Sequence, residues 1–286
     1  MSVEIIPVRS EHVPELAAIC FEAFGRLQDR HGVERDFDSV HTAEMVVGLF
    51  AGRPDFAGFA AARHGKLLGS NFISFSDPVA GVGPITVHPD VQAAGVGRAL
   101  MQAVLEEARR RGVSMVRLQQ EAINTTSLSL YTKLGFDWRD ACALIRPAAA
   151  DRDDPRITQV THEDLPEIDR LSTRLYHHTR RGEVEGFPRI GLPGVIMRRD
   201  GRVVGYYFAS FIGHGFAESA ADLAAMIGQC TRHAPPHFHK VLVPLSQHEL
   251  HRALLAGGGR TIKLFNYMTV GEYRPPVGAW VPSIGM

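Results

Sequence analysis

Residues 83–112 read GPITVHPDVQAAGVGRALMQAVLEEARRRG, a short strand that halts at a small-residue turn and passes straight into an amphipathic helix. Ile85, Thr86 and Val87 are β-branched, and Pro89 ends the run because proline cannot continue an internal ladder. Val96, Ala99, Leu100, Ala103, Val104 and Ala108 recur at spacings of three and four, which predicts one apolar helical face beginning near Gly95. Arg109, Arg110 and Arg111 suit its C-terminal end and Gly112 its cap. Between strand and helix, Gln92-Ala93-Ala94-Gly95-Val96-Gly97 clears side chains from a turn whose amides point outward. Unpaired amides at a helix start, with a dipole of roughly half a positive charge, attract a phosphate without any basic cluster, and Arg98 adds a direct contact. An ordinary tight turn, with Gly97 serving helix packing, accounts for a lone G-x-G equally well.

The context favours the anion site. The segment resembles motif A of the GNAT acyltransferase superfamily, a strand ending in V-x-P followed by Q/R-x-x-G-x-G/A, with Val87, Pro89, Gln92, Gly95 and Gly97 in the motif positions. The resemblance implies that Ile85, Thr86 and Val87 bind the pantetheine arm of acetyl-CoA and that Gln92, Ala93, Ala94, Gly95, Val96, Gly97 and Arg98 hold its pyrophosphate. No G-x-x-x-x-G-K-S/T occurs and no third glycine completes G-x-G-x-x-G here, so triphosphate and dinucleotide readings fit less well.

A second match spans residues 124–136, NTTSLSLYTKLGF, which resembles the family's N-x-x-A-x-x-x-Y-x-K-x-G-F segment. Locally it predicts a short helix capped by Asn124 or Thr125 and stopped at Gly135. In the family the tyrosine hydroxyl lies by the thioester sulfur, so the resemblance implies general-acid duty for Tyr131. A phenol of pKa about 10 is protonated at neutral pH, whereas a departing thiolate of pKa about 8.5 needs a proton or a hydrogen bond. Asn124 is read both as a helix cap and as a coenzyme contact. The base is less legible: Glu121 follows the second of two strands that the family splays apart, here residues 83–87 and 114–120, and His88 and Glu22 are weaker candidates. Glu34, Asp36 and Asp38 in the stretch after the first helix hint at a cationic ligand, although a solvated loop explains them as well.

The chain repeats itself faintly. Residues 8–16 (VRSEHVPEL) return as 160–168 (VTHEDLPEI), and 63–69 (RHGKLLG) return as 199–205 (RDGRVVG) at a shorter interval. The shrinkage places a deletion in the second copy opposite residues 25–38. No Q/R-x-x-G-x-G follows the hairpin of the second copy, and residues 255–260 (LAGGGR) stand where a tyrosine segment would fall. Proline and charge at 147–155 mark a linker. The expectation is an α/β fold of two tandem GNAT-like acyl-CoA N-acyltransferase domains, each a mixed, bent sheet of about six strands flanked by helices: 1–148 with the coenzyme site, and 155–286 degenerate, without the CoA motif.

With 31 basic and 31 acidic residues there is no net field to recruit nucleic acid or anionic lipid. No stretch approaches a membrane span and the first ten residues lack a basic-then-apolar pattern, so a cytoplasmic protein is expected. Three widely spaced cysteines, Cys20, Cys142 and Cys230, predict buried thiols. Neither His177-His178 nor His237 and His239 has a carboxylate or cysteine at ligand spacing, so no metal is expected. The activity implied is direct transfer of acetyl from acetyl-CoA to a primary amine of a small molecule. The alternatives are a non-catalytic acyl-CoA sensor and an interaction protein whose second half pairs the chain into a homodimer or completes the substrate cleft.

Overall fold

The structure, a computed structural model, describes residues 3–92 and 95–283. Its first half runs β1 (Glu4–Pro7), α1 (Val13–His31), α2 (Val40–Gly52), β2 (Phe56–Arg63), β3 (Lys66–Ser74), β4 (Val79–Val82), β5 (Thr86–Val87), α3 (Val96–Arg110), β6 (Met115–Glu121), α4 (Thr125–Lys133) and β7 (Asp137–Arg146). The second half repeats this order in shorter form: β8 (Ile157–Gln159), α5 (Leu165–Tyr176), α6 (Arg181–Arg189), β9 (Gly194–Arg199), β10 (Arg202–Phe208), β11 (His214–Ala217), α7 (Ala220–His233), β12 (Val241–Pro244), α8 (His248–Ala256), β13 (Arg260–Gly271) and β14 (Ala279–Val281).

The mixed α/β class and the bent, helix-flanked sheets are as expected, but the strands are not shared out six and six. One nine-stranded sheet runs β1-β2-β3-β4-β6-β13-β7-β12, with β5 pairing β3, and a five-stranded sheet runs β14-β11-β10-β9-β8. The two halves therefore exchange strands. β13 lies antiparallel between β6, with Phe265 opposite Glu121 and Gly271 opposite Met115, and β7, with Phe265 opposite Cys142. β12 then continues the sheet from β7, Val241 facing Ile145. Strands that are apolar on both faces, such as β12 (VLVP), suit any central position, so burial alone does not choose their partners.

A face rule follows from the pleat. Val116 and Leu118 join the apolar cluster that holds Met101, Val104 and Tyr131 under α3 and α4. Met115, on the opposite pleat, joins Leu16, Val47 and Phe50 of α1 and α2, so Arg117, Gln119 and Glu121 share the α1/α2 face. α1 itself reaches His31 before Gly32 (φ 63°) ends it, so much of the stretch 25–38 is helix rather than loop.

Candidate functional site

The site begins where two parallel strands part. β4 and β6 are paired from Val79 opposite Met115 to Val82 opposite Leu118. Beyond that point β5 is hydrogen-bonded only to β3, with Ser70 opposite Thr86, while residues 119–121 of β6 pair with β13. A wedge thus opens, and among the described residues the β6-facing edge of Thr86–Val87 has no ladder partner. Gly69 allows this arrangement: at φ +157°, a Cβ there would lie 2.2 Å from the Thr86 carbonyl oxygen.

One mouth of the wedge meets the start of α3. Gly95 is its N-cap in the left-handed region (φ 81°, ψ −1°), with no side-chain cap bond, and the Ala99 amide already donates to its carbonyl at 3.0 Å. The amides of Val96, Gly97 and Arg98 are the orphan donors of this helix start. A Cβ on Gly97 would sit 3.4 Å from Leu130 Cδ2 and 3.8 Å from Val87 Cγ2, so this glycine seats α3 against α4 and the strand. The Gln92 amide reaches the Val87 carbonyl at 3.5 Å. Arg98 is exposed, and Ile85 and Val87 pack with Val96 and Leu100. The predicted coenzyme residues Ile85, Thr86, Val87, Gln92, Gly95, Val96, Gly97 and Arg98 therefore come together; Ala93 and Ala94 lie outside the described residues.

Tyr131 lies on the α3/α4 face, in the same apolar cluster as Val82 and Leu118, the last paired residues before the wedge. Burial pushes its phenol up to about 12, and a hydrogen bond with the Ser127 side chain pulls the other way. The hydroxyl is therefore a proton carrier throughout the neutral range. Asn124 caps α4, its Oδ1 accepting from the Ser127 amide at 3.1 Å.

Glu121 occupies the opposite, α1/α2 face, at the open end of the wedge. Its carboxylate lies 2.6 Å from the Lys263 ammonium and accepts from Gln28 Nε2 at 3.4 and 3.3 Å. Burial raises its pKa, Lys263 and Gln28 oppose the rise, and Asp36 reinforces it. His88 and Glu22 instead form a separate, more exposed group 3.6 Å apart, shared with Arg26 and Asp90.

At 34–38 the chain itself supplies cations to Glu34 and Asp36. Glu34 meets Lys240 at 2.8 Å and Arg146 at 2.9 Å; burial works against its charge, but these two outweigh it and hold it below the usual carboxylate range. Asp36 is 2.8 Å from Lys263, and Asp38 accepts from Ser39 at 3.1 Å and from Thr42. Lys240 and Lys263 both come from the second half, so no pattern within residues 25–38 pointed to them. The one signal was a lone lysine among Thr261, Ile262, Leu264 and Phe265 in a strand.

Among the described residues the second half has no such wedge. The free edge of β11 is taken by β14, Gly215 facing Val281 and Ala217 facing Ala279, and β12 turns to β7. No group of three or more His, Cys, Asp or Glu side chains that would hold a metal occurs among the described residues, and all three cysteines are free and buried. None of the described helices is long and apolar enough to cross a membrane.

Residues 16–136 match the Acetyltransferase (GNAT) family, and this part of the chain is a GNAT acetyltransferase domain. A 53-residue stretch is 42% identical to the [Ribosomal protein bS18]-alanine N-acetyltransferase of Escherichia coli (strain K12), covering 18% of this chain and 36% of that protein. The chain thus spans little more than a third of the length of that curated relative. Two solved structures share the fold over nearly the whole chain. A Pyrococcus horikoshii protein assigned as an acetyltransferase has a TM-score of 0.80 at 13% identity, covering 99% of this chain and 94% of its own. A tandem GNAT protein from the clavulanic acid biosynthesis pathway has a TM-score of 0.60 at 13% identity, covering 94% and 98%.

Proposed function

We propose that the protein is an N-acetyltransferase that moves an acetyl group from acetyl-CoA to a primary amine of a small molecule by direct transfer. In this reading residues 1–148 carry the coenzyme site and 155–286 carry none. The observation that supports it most is the wedge after Val82 and Leu118, with an uncapped helix start beside it and with Tyr131 and Glu121 on opposite faces of the sheet. Acetyl-CoA, when bound, supplies an activated thioester.

The residues present fit such a group. The freed edge of Thr86–Val87 offers main-chain groups to an amide-bearing arm, and the amides after Gly95, with Arg98, suit a pyrophosphate. An amide of Thr86 or Val87 is placed to polarise a carbonyl. Glu121 takes a proton from the substrate ammonium on one face, the freed amine forms the N–C bond as the C–S bond breaks, and Tyr131 gives a proton to the departing sulfur on the other; holding both reactants removes most of the entropic barrier. Burial holds the thiols of Cys20, Cys142 and Cys230 in their protonated form, Cys20 at about 12 and Cys230 at about 11, which disfavours a covalent cysteine route.

Calorimetric titration of acetyl-CoA into the full chain tests the reading. One site per chain is expected, because β14 fills the second half's strand edge, and Gly97→Glu should abolish it by forcing a carboxylate between α3, Leu130 and Val87. Two sites would place a coenzyme site in the second half as well. Absence of binding by the wild type would end the acetyl-CoA reading.

A further inference from the structure

We infer that the second half of the chain completes the base of the first: Lys263, carried into the shared sheet by β13, is a positioning residue that keeps Glu121 ionised and oriented at the wedge. This rests on Glu121 acting as the proposed base. The geometry is that of a saturated ammonium. Lys263 has three donors, and three acceptors surround it: Glu121 Oε1 at 2.6 Å, Asp36 Oδ1 at 2.8 Å and the Glu34 carbonyl at 3.4 Å. The side chains of Lys263 and Glu121 are 3% and 5% exposed, so water contributes little to holding either charge. Gln28 closes the ring, donating to Asp36 Oδ2 at 2.7 Å and to Glu121, while its own carbonyl accepts the Asp36 amide at 3.0 Å.

The two Glu121 oxygens are then unequal. Oε1 is taken by Lys263, whereas among the described residues Oε2 has the longer 3.3 Å contact from Gln28 and keeps lone pairs for an incoming proton. The charged and titratable groups facing Glu121 are Lys263 from β13 and Asp36 from the α1–α2 connection; α1 contributes the neutral Gln28. Burial and Asp36 both favour the neutral acid, and a neutral carboxylic acid cannot accept a proton from an amine. Lys263 and, more weakly, Gln28 act in the opposite sense. Such an ion pair is poor value as a stability device, since apolar side chains in its place cost no desolvation. Its use is to fix the protonation state of one oxygen pair.

The test is direct titration of the Glu121 carboxyl by carbon-13 NMR in full-length protein labelled at glutamate, the signal being identified by its loss in Glu121→Gln. In Lys263→Met the midpoint should rise by about 1–3 pH units, the usual effect of removing an opposite charge at this distance. Lys263→Arg should stay near wild type. Asp36→Asn should move the midpoint down, so the inference stays testable even if the methionine variant fails to fold. Midpoints that coincide in wild type, Lys263→Met and Asp36→Asn would overturn it. Acetyl-CoA binding by the wild type is measured alongside: loss of that binding counts against the proposed function, while the titrations still decide the role of Lys263.

Discussion

Residues 1–155 expressed alone are expected to give no cooperative unfolding transition and no acetyl-CoA binding, although they contain every motif of the GNAT domain. The reason is the place of β13. It is hydrogen-bonded along both edges, to β6 from Phe265 to Gly271 and to β7 from Arg260 to Thr269. Removing it leaves two central strands roughly 10 Å apart, twice the spacing that hydrogen bonds span, with both ladders unpaired.

The loss continues beneath the sheet. Phe265 and Tyr267 belong to the same cluster as Leu16, Val47 and Phe72, so the core under α1 and α2 would be opened to water. Buried charges would also lose their counterparts. Arg117 and Asp77 of the first half lie in one cluster with Arg180 and Glu183 of the second, each no more than 5% exposed. Asp77 also accepts from the backbone amides of Gly182 at 2.9 Å and Glu183 at 3.3 Å. Breaking one buried pair typically costs about 3–5 kcal/mol, which rivals the whole stability of a domain. Circular dichroism through a thermal ramp checks this, and supplying residues 156–286 as a second chain should restore the transition. A sharply melting, coenzyme-binding fragment would show that the exchanged strands are dispensable.

What the amino-acid sequence disclosed, and what it hid, divides along the same physical line. Local signals were readable: the apolar stripe of α3, its start near Gly95, the Asn124 cap and the stop at Gly135 (φ 93°) all depend on neighbours within a turn or two. The repeated VRSEHVPEL and VTHEDLPEI segments do start equivalent helices, α1 and α5. Partner choice between strands was not readable, because alternation says which face is buried and nothing about which edge lies alongside. For that reason the insertion of β13 between β6 and β7, and the delivery of Lys263 to Glu121, were invisible. The pairing of Glu34 and Asp36 was hidden for the same cause: their counter-charges, Lys240, Lys263 and Arg146, are more than a hundred residues away in the chain. β14 was hidden too, and it supplies a physical reason for a second half without a coenzyme wedge that the missing glycine motif only suggested.

Tyr131→Phe is expected to lower kcat by about 10²–10⁴-fold, the range for removing a positioned general acid, while acetyl-CoA affinity stays within about twofold. The substitution keeps the ring that packs with Leu118 and Phe136 and removes one hydroxyl, so stability should change by no more than about 1 kcal/mol. The pH behaviour separates this role from a packing role. Burial raises the phenol to about 12, so the proton it donates is present at every pH below that and is lost only as pH climbs through that value. Wild-type kcat should therefore show no basic decline from Tyr131 between pH 7 and 10, where an unperturbed phenol would already be titrating. The choice of acyl donor is a second discriminator. A thioester whose thiol is more acidic than that of coenzyme A leaves without needing a proton, so the penalty of Tyr131→Phe should shrink with such a donor bound in the same wedge. A penalty equal for both donors would mean that the hydroxyl shapes the site without protonating sulfur, and an unchanged kcat with acetyl-CoA would remove Tyr131 from the reaction altogether.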